Sequence, residues 1–226
     1  MRVTNTKIYV GALFLTVAIF VMGLLLGLVI EGKRVAFMEE SDRVQKLNFE
    51  SLKLQFLYLS SLEGRESCPA FSSALSRYIK ETEKTRERLE GYITQGVAYN
   101  NDFLILKREY VISQLNYWVL SKNTKRLCGT DFVTVLYFYS EDCGDCENQG
   151  FVLDYLKRKF GERILIFALD GEFVEEPMIP FIVETFNVSV SPTLVVEDDV
   201  LVGFQSKDTL IKVVCEKFAE KPSDCP

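Results

Sequence analysis

The chain has 226 residues, with 32 acidic against 26 basic side chains, a formal net charge of −6 and no histidine. That balance leaves no broad basic footprint for a phosphate backbone, so no nucleic-acid partner is expected. The length suffices for one larger folded unit or two compact ones beyond any membrane segment.

From Ile8 to Ile30 the sequence runs 23 residues without a charged side chain. A helix of that length extends about 35 Å, enough to cross a bilayer. Arg2 and Lys7 give it a short basic beginning. The apolar run exceeds the roughly 7–15 residues of a signal-peptide core and has no small-x-small cleavage site beside its end. An uncleaved signal anchor is therefore expected over a cleaved leader, with the lipid bilayer as a partner. Gly23 and Gly27 form a small-xxx-small pair, a pattern also ordinary in membrane helices, so oligomeric state stays open. Lys33, Arg34, Arg43 and Lys46 follow the span, and flanking charge does not orient it. Cysteine usage speaks to compartment instead. The six cysteines are Cys68, Cys128, Cys143, Cys146, Cys215 and Cys225. An even count beyond a membrane span favours an oxidising, extracytoplasmic setting over six reduced thiols in the cytosol.

Three regions are expected: residues 1–34 as tail and membrane anchor, 35–128 as a helical membrane-proximal region, and 129–226 as an α/β domain with a C-terminal tail. In residues 35–64, Leu47, Leu54, Phe56, Leu57 and Tyr58 recur at helical spacing. Gly64 and Ser67-Cys68-Pro69 break that pattern. A second helix is predicted from Pro69 toward Ile93, with a mixed-charge centre from Lys80 to Arg88 that reads as a solvated face. A third is predicted over Phe103 to Leu120, and the three can pack as a small bundle. Sustained a/d heptads are missing, which argues against a long coiled coil.

After Asp131 the period changes. Phe132 to Tyr139 is dense in β-branched and aromatic residues and predicts a buried strand. A helix over Cys143 to Phe160 follows, then a strand over Arg163 to Leu169 and a helix over Pro177 to Phe186. Thr193 to Glu197 and Val200 to Phe204 predict two short strands, and Thr209 to Phe218 a last helix. This order can build a three-layer α/β domain in which a right-handed crossover brings the first helix over the sheet.

Cys143-Gly144-Asp145-Cys146 stands where the first strand becomes a helix. Two cysteines with two intervening residues can exchange sulfurs with each other without dismantling a domain, and a helix N-terminus can stabilise one thiolate. The same motif alone also occurs as half a zinc site or as a structural disulfide. With no histidine, zinc would require distant cysteine or carboxylate ligands, and no metal or organic cofactor is expected. If Cys143 and Cys146 form the redox pair, the remaining cysteines allow three connectivities. Cys68 with Cys128 and Cys215 with Cys225 is the simplest, because it respects the regional boundaries.

Over residues 129–220 the chain resembles the thioredoxin fold superfamily. The resemblance rests on the dithiol after Val135-Leu136-Tyr137-Phe138-Tyr139-Ser140, on Val190-Ser191-Pro192-Thr193-Leu194-Val195-Val196, and on Gly203 after another short strand. With the expected anchor it implies a membrane-anchored thioredoxin-like protein, and by itself it implies that the Ser191–Pro192 bond is cis and lies beside the dithiol. The Ser191 backbone would then hydrogen-bond an extended substrate peptide. It implies Cys143 as the attacking thiol and Cys146 as the resolving one, acting on a cysteine-containing protein substrate, with a second partner that resets the pair. The chain departs from classical thioredoxin at Asp145, where the motif's proline is missing, and at Tyr137, where a buried acid is common. Glu141, Asp142, Asp145 and Glu147 surround the pair and disfavour a further negative charge, so a less acidic thiol suited to reduction or isomerisation is expected. The competing reading is a thioredoxin-like binding or assembly module whose cysteines form structural disulfides without turnover.

Overall fold

A computed structural model describes residues 11, 13–25, 53–54, 58, 61, 67–94 and 101–226. The chain divides into two compact units, Met1–Ser60 and Ser61–Pro226. In the first, residues 11 and 13–25 are helical. Both ends of the expected span Ile8–Ile30, and most of the amphipathic pattern in 35–64, lie outside the described residues. Among the described residues no helix is long and apolar enough to cross a membrane.

The second unit begins with a helical hairpin, α1 (Cys68–Thr94) and α2 (Asn101–Cys128). A disulfide between Cys68 and Cys128 closes it, with the Cα atoms 5.6 Å apart. The charged centre of α1 is a solvated face. Arg86 pairs with Glu83 and Glu90 one turn away on either side, with all three side chains about half exposed. Apart from Phe71 and Thr85, α1 buries little of itself. By contrast, α2 buries Phe103, Leu106, Val111, Leu115 and Leu120. It runs to Cys128, eight residues beyond the predicted end at Leu120, and its last turns are tied by Lys122 and Lys125 to the turn between the last two strands of the sheet. Lys125 Nζ lies 2.9 Å from Glu197 Oε1, and Lys122 Nζ 2.7 Å from Asp198 Oδ1.

The α/β part follows as β1 (Val133–Tyr139), α3 (Cys146–Phe160), β2 (Ile164–Asp170), α4 (Met178–Thr185), β3 (Thr193–Val196), β4 (Asp199–Val202) and α5 (Lys207–Lys217). The strands form one mixed sheet in the order β2-β1-β3-β4. β1 pairs with β2 in parallel, from Val133↔Ile164 to Tyr139↔Asp170, and with β3 antiparallel, Phe138 opposite Thr193. The central strand β1 is covered on both faces, which is why its sequence reads as a nearly continuous apolar run.

The pleat sorts that run into two cores. Val133, Val135 and Tyr137 face one layer with Leu153, Leu156 and Phe160 of α3 and Leu210 and Val214 of α5. Leu136 and Phe138 face the other, with Leu165, Phe167 and Leu169 of β2, Ile179 and Ile182 of α4, and Val111 and Leu115 of α2. Tyr117 of α2 meets Phe167 edge-on at 5.1 Å between ring centroids. The helix α2 thus supplies part of the second layer.

The second unit runs from Ser61 to Pro226, across the junction of residues 128 and 129 where a boundary was expected. Two further ties cross it. Lys107 Nζ lies 2.6 Å from Asp170 Oδ2, and Arg108 Nε 3.3 Å from Glu176 Oε2, both carboxylates being buried. Element ends also shift from expectation for local reasons. The helix expected from Cys143 begins at Cys146, after a turn in which the Cys146 N–H donates to the Cys143 carbonyl at 3.3 Å. β4 stops at Val202, ahead of Gly203, whose φ of 76° is in the left-handed region glycine tolerates. The start of α5 moves forward to Lys207 because the Ser206 hydroxyl caps it, accepting from the Thr209 N–H at 3.2 Å.

Candidate functional site: the dithiol end of the sheet

β1 delivers the chain to the carboxyl end of the sheet, where Ser140-Glu141-Asp142 leads into the dithiol turn. Cys143 and Cys146 are joined as a disulfide with their Cα atoms 5.4 Å apart. Their surroundings differ. Cys143 lies before the helix and is partly exposed, whereas Cys146 is the first residue of α3 and is 8% exposed. The difference follows from the helical period. Cys146, Gln149, Leu153, Leu156 and Phe160 share the face of α3 that meets the sheet. Cys143 precedes that face and rests against its edge.

Two tyrosines of β1 lie beneath the turn, their ring centroids 5.7 Å apart. Tyr137 donates its phenolic proton to the Cys146 carbonyl at 2.6 Å. Burial pushes the Tyr137 phenol above its ordinary pKa. Tyr139 is pushed up to about 12, first by burial and then by nearby Asp170. Both phenols therefore stay protonated through the range in which thiols titrate. They can donate hydrogen bonds to the turn and cannot act there as bases. The position where an acid is common is thus occupied by a neutral donor that holds the first helical turn. Asp142, Asp145 and Glu147 around the cysteines are exposed. Asp145 occupies the N-cap position without a side-chain capping bond. Their charge opposes the stabilisation that the N-terminus of α3 offers a thiolate.

The antiparallel pairing of Phe138 with Thr193 brings Pro192 to the level of Tyr139, at the same end of the sheet as the dithiol. The Ser191–Pro192 peptide is cis. Pro192 is buried and Ser191 partly exposed. The loop is held on both sides. Thr193 Oγ1 donates to the Val190 carbonyl at 2.7 Å, and the Gly203 N–H donates to the Pro192 carbonyl at 2.8 Å.

The other four cysteines pair as Cys68–Cys128 and Cys215–Cys225, apart from this site. Cys128 precedes the amino end of β1 while Cys143 follows its carboxyl end, and a strand of this length extends about 20 Å. Cys215, on the buried side of α5, is 3% exposed, and Cys225 ties the C-terminal tail to it. Among the described residues no group of three or more cysteine, aspartate or glutamate side chains is arranged to hold a metal.

Sequence reasoning passed over Gln149. It is fully buried at 0% exposure. Its Oε1 accepts from the Gln205 N–H at 2.7 Å, and its Nε2 donates to the Gln205 carbonyl at 3.4 Å. The available signal was an amide at the third residue after Cys146, on the apolar stripe of α3. Lys107 and Asp170 were also passed over, since they are 63 residues apart and meet only in the fold.

No protein-family model matches the chain, and no curated protein matches it. Among solved structures it is similar to a malarial protein, at 25% identity and a TM-score of 0.34, over 38% of this chain and 98% of that one. It is also similar to a mutant thioredoxin from Halobacterium salinarum, at 23% identity and a TM-score of 0.33, over 41% of this chain and 80% of that one. A third is the germline-specific thioredoxin Deadhead from Drosophila melanogaster, at 23% identity and a TM-score of 0.33, over 45% and 92% of the two chains. At such scores these likenesses carry no argument, and the sheet order, the dithiol turn and the cis-proline loop at the same end of the sheet stand on their own geometry.

Proposed function

We propose that the chain is a membrane-tethered thiol–disulfide oxidoreductase acting on cysteine-containing proteins through Cys143 and Cys146. The observation that carries this reading is the asymmetry of the pair. A partly exposed Cys143 can meet a substrate sulfur, while Cys146, buried at the start of α3, is held within reach of Cys143 alone. In the reducing direction the Cys143 thiolate attacks one sulfur of a substrate disulfide. The substrate S–S bond breaks, one substrate thiolate leaves and takes a proton, and a Cys143–substrate disulfide forms. Cys146, as thiolate, then attacks the Cys143 sulfur, expels the second substrate thiolate and closes the Cys143–Cys146 disulfide. Two electrons have passed to the substrate. A partner dithiol restores the pair by the same exchange in reverse.

The carboxylates around the turn favour reduction or isomerisation over strong oxidation, because they disfavour the thiolate on which an oxidising pair depends. The backbone at Ser191, beside Pro192, is where an extended substrate segment would lie. The charge-free stretch from Ile8 to Ile30 supports the tether. Three disulfides among six cysteines support an extracytoplasmic soluble region.

Thiol trapping in native membranes tests the reading. With Cys146→Ala, mixed disulfides between Cys143 and partner proteins accumulate, and with Cys143→Ser they do not. Equal trapping by both variants, or by neither under several redox poises, points instead to a binding module with structural disulfides.

A further inference from the structure

The dithiol turn and the proline loop belong to different elements, and a series of bonds running through one buried side chain links them. Gln149 is one turn into α3, where its N–H donates to the Asp145 carbonyl inside the dithiol turn at 2.9 Å. Its side-chain amide faces the main chain of Gln205, taking the N–H at 2.7 Å and giving a proton to the carbonyl at 3.4 Å. The orientation of the amide is determined by chemistry, since the Gln205 N–H can bond only to the oxygen. Two residues earlier, the Gly203 N–H holds the Pro192 carbonyl at 2.8 Å. The Gln205 side chain closes the same segment, donating to the Val202 and Gly203 carbonyls at 3.0 and 3.2 Å.

A fully buried amide on an apolar helix face is costly unless it is satisfied, and here its bonds go to one loop residue. Packing alone would be better served at this position by leucine or methionine. The loop also needs the support. It leaves β4, an edge strand whose Val200 and Val202 are 40% and 55% exposed, and it displays Phe204 at 45% exposure. Bonds to Gln149 hold that segment at a set distance from the first turn of α3, and the segment in turn holds Pro192.

We propose that Gln149 is a positioning residue that sets the register between the Cys143–Cys146 turn and the Ser191–Pro192 loop, through Gly203–Gln205. The proposal rests on the oxidoreductase reading above. Sulfur exchange requires the attacking sulfur in line with the substrate disulfide, and a displacement of about 1 Å can cost up to about a hundredfold in rate. A peptide lying along Ser191 is aligned through this connection. A small dithiol that reaches Cys143 from solvent is not.

The test uses the full-length chain in detergent and compares Gln149→Met with the unaltered protein. Each is assayed for exchange with a disulfide-bonded peptide of about ten residues and with dithiothreitol. The expected result is a peptide rate lowered about tenfold with the dithiothreitol rate changed by less than about twofold. Gln149→Asn keeps the amide but is one methylene short, so it serves if the methionine variant does not fold, and the same loss of selectivity is expected. A folded variant whose two rates are unchanged, or fall together, overturns the proposal while leaving the redox reading intact. Unaltered protein that exchanges with neither reagent overturns both.

Discussion

Replacing Lys107 with methionine tests whether the helical hairpin and the sheet form one cooperative unit. Lys107 Nζ lies 2.6 Å from Asp170 Oδ2, and their side chains are only 19% and 9% exposed. The ammonium also sits 4.3 Å from the centre of the Phe173 ring. Methionine keeps the stem and removes the charge. Asp170 is then left with the Glu172 N–H on its other oxygen, at 3.1 Å, and no paired cation among the described residues. Removing one partner of a buried pair costs about 3–5 kcal/mol. The residual exposure of Lys107 admits some water, which places this case near the lower end, at about 3 kcal/mol. For a cooperative unit of this size the midpoint of thermal unfolding falls by about 6–12 °C. Urea unfolding of the oxidised protein, followed by circular dichroism, measures the loss as a lower midpoint at unchanged slope. Combining Lys107→Met with Asp170→Asn removes the orphaned charge, and at least about 2 kcal/mol of the loss returns. A shift below about 0.5 kcal/mol that is equal in both backgrounds refutes the buried pair. Separate transitions for hairpin and sheet refute the single unit.

Tyr137→Phe keeps the ring and deletes the bond to the Cys146 carbonyl, and a loss of about 1 kcal/mol is expected in thermal unfolding. No change would mean that another donor serves that carbonyl. Asp131 gives a pH signature. Burial acts to raise its pKa, but the Ala219 and Glu220 N–H groups and the Arg163 guanidinium outweigh it, and the carboxyl titrates below its ordinary range. Its contribution is therefore present above the unfolded-state value of about 3.9 and is lost as pH falls through the depressed folded value. Hydrogen exchange at Ala219 and Glu220 should show protection at neutral pH that disappears in acid. Asp131→Ala should abolish that protection at every pH, and protection that survives the substitution would mean that other acceptors hold the Ala219 and Glu220 N–H groups.

The dithiol, the strand before it and the helix after it were legible because each leaves a local mark. Apolar density without polar alternation marks a strand covered on both faces, and a motif at the strand-to-helix junction marks an exposed turn on a rigid support. The cis-proline loop was expected from the resemblance, and the start of a strand at Pro192 also from the few positions a sheet leaves to proline. Cysteine positions in the sequence were enough to suggest the two outlying pairs. Tertiary structure alone decided the contacts of Gln149 and Tyr137, since a glutamine on an apolar stripe and a tyrosine in a strand look the same whether or not a main-chain partner faces them. It also decided that α2 belongs to the sheet. Amphipathic spacing says that a helix buries one face and is silent about which surface receives it, and the ties from Lys107 to Asp170 and from Lys125 to Glu197 span more than 60 residues of sequence. The sequence by itself thus determines where the dithiol lies, at a strand-to-helix junction. How the turn, the proline loop and the helical hairpin are held around it depends on buried polar contacts between distant residues, which exist only once the chain has folded.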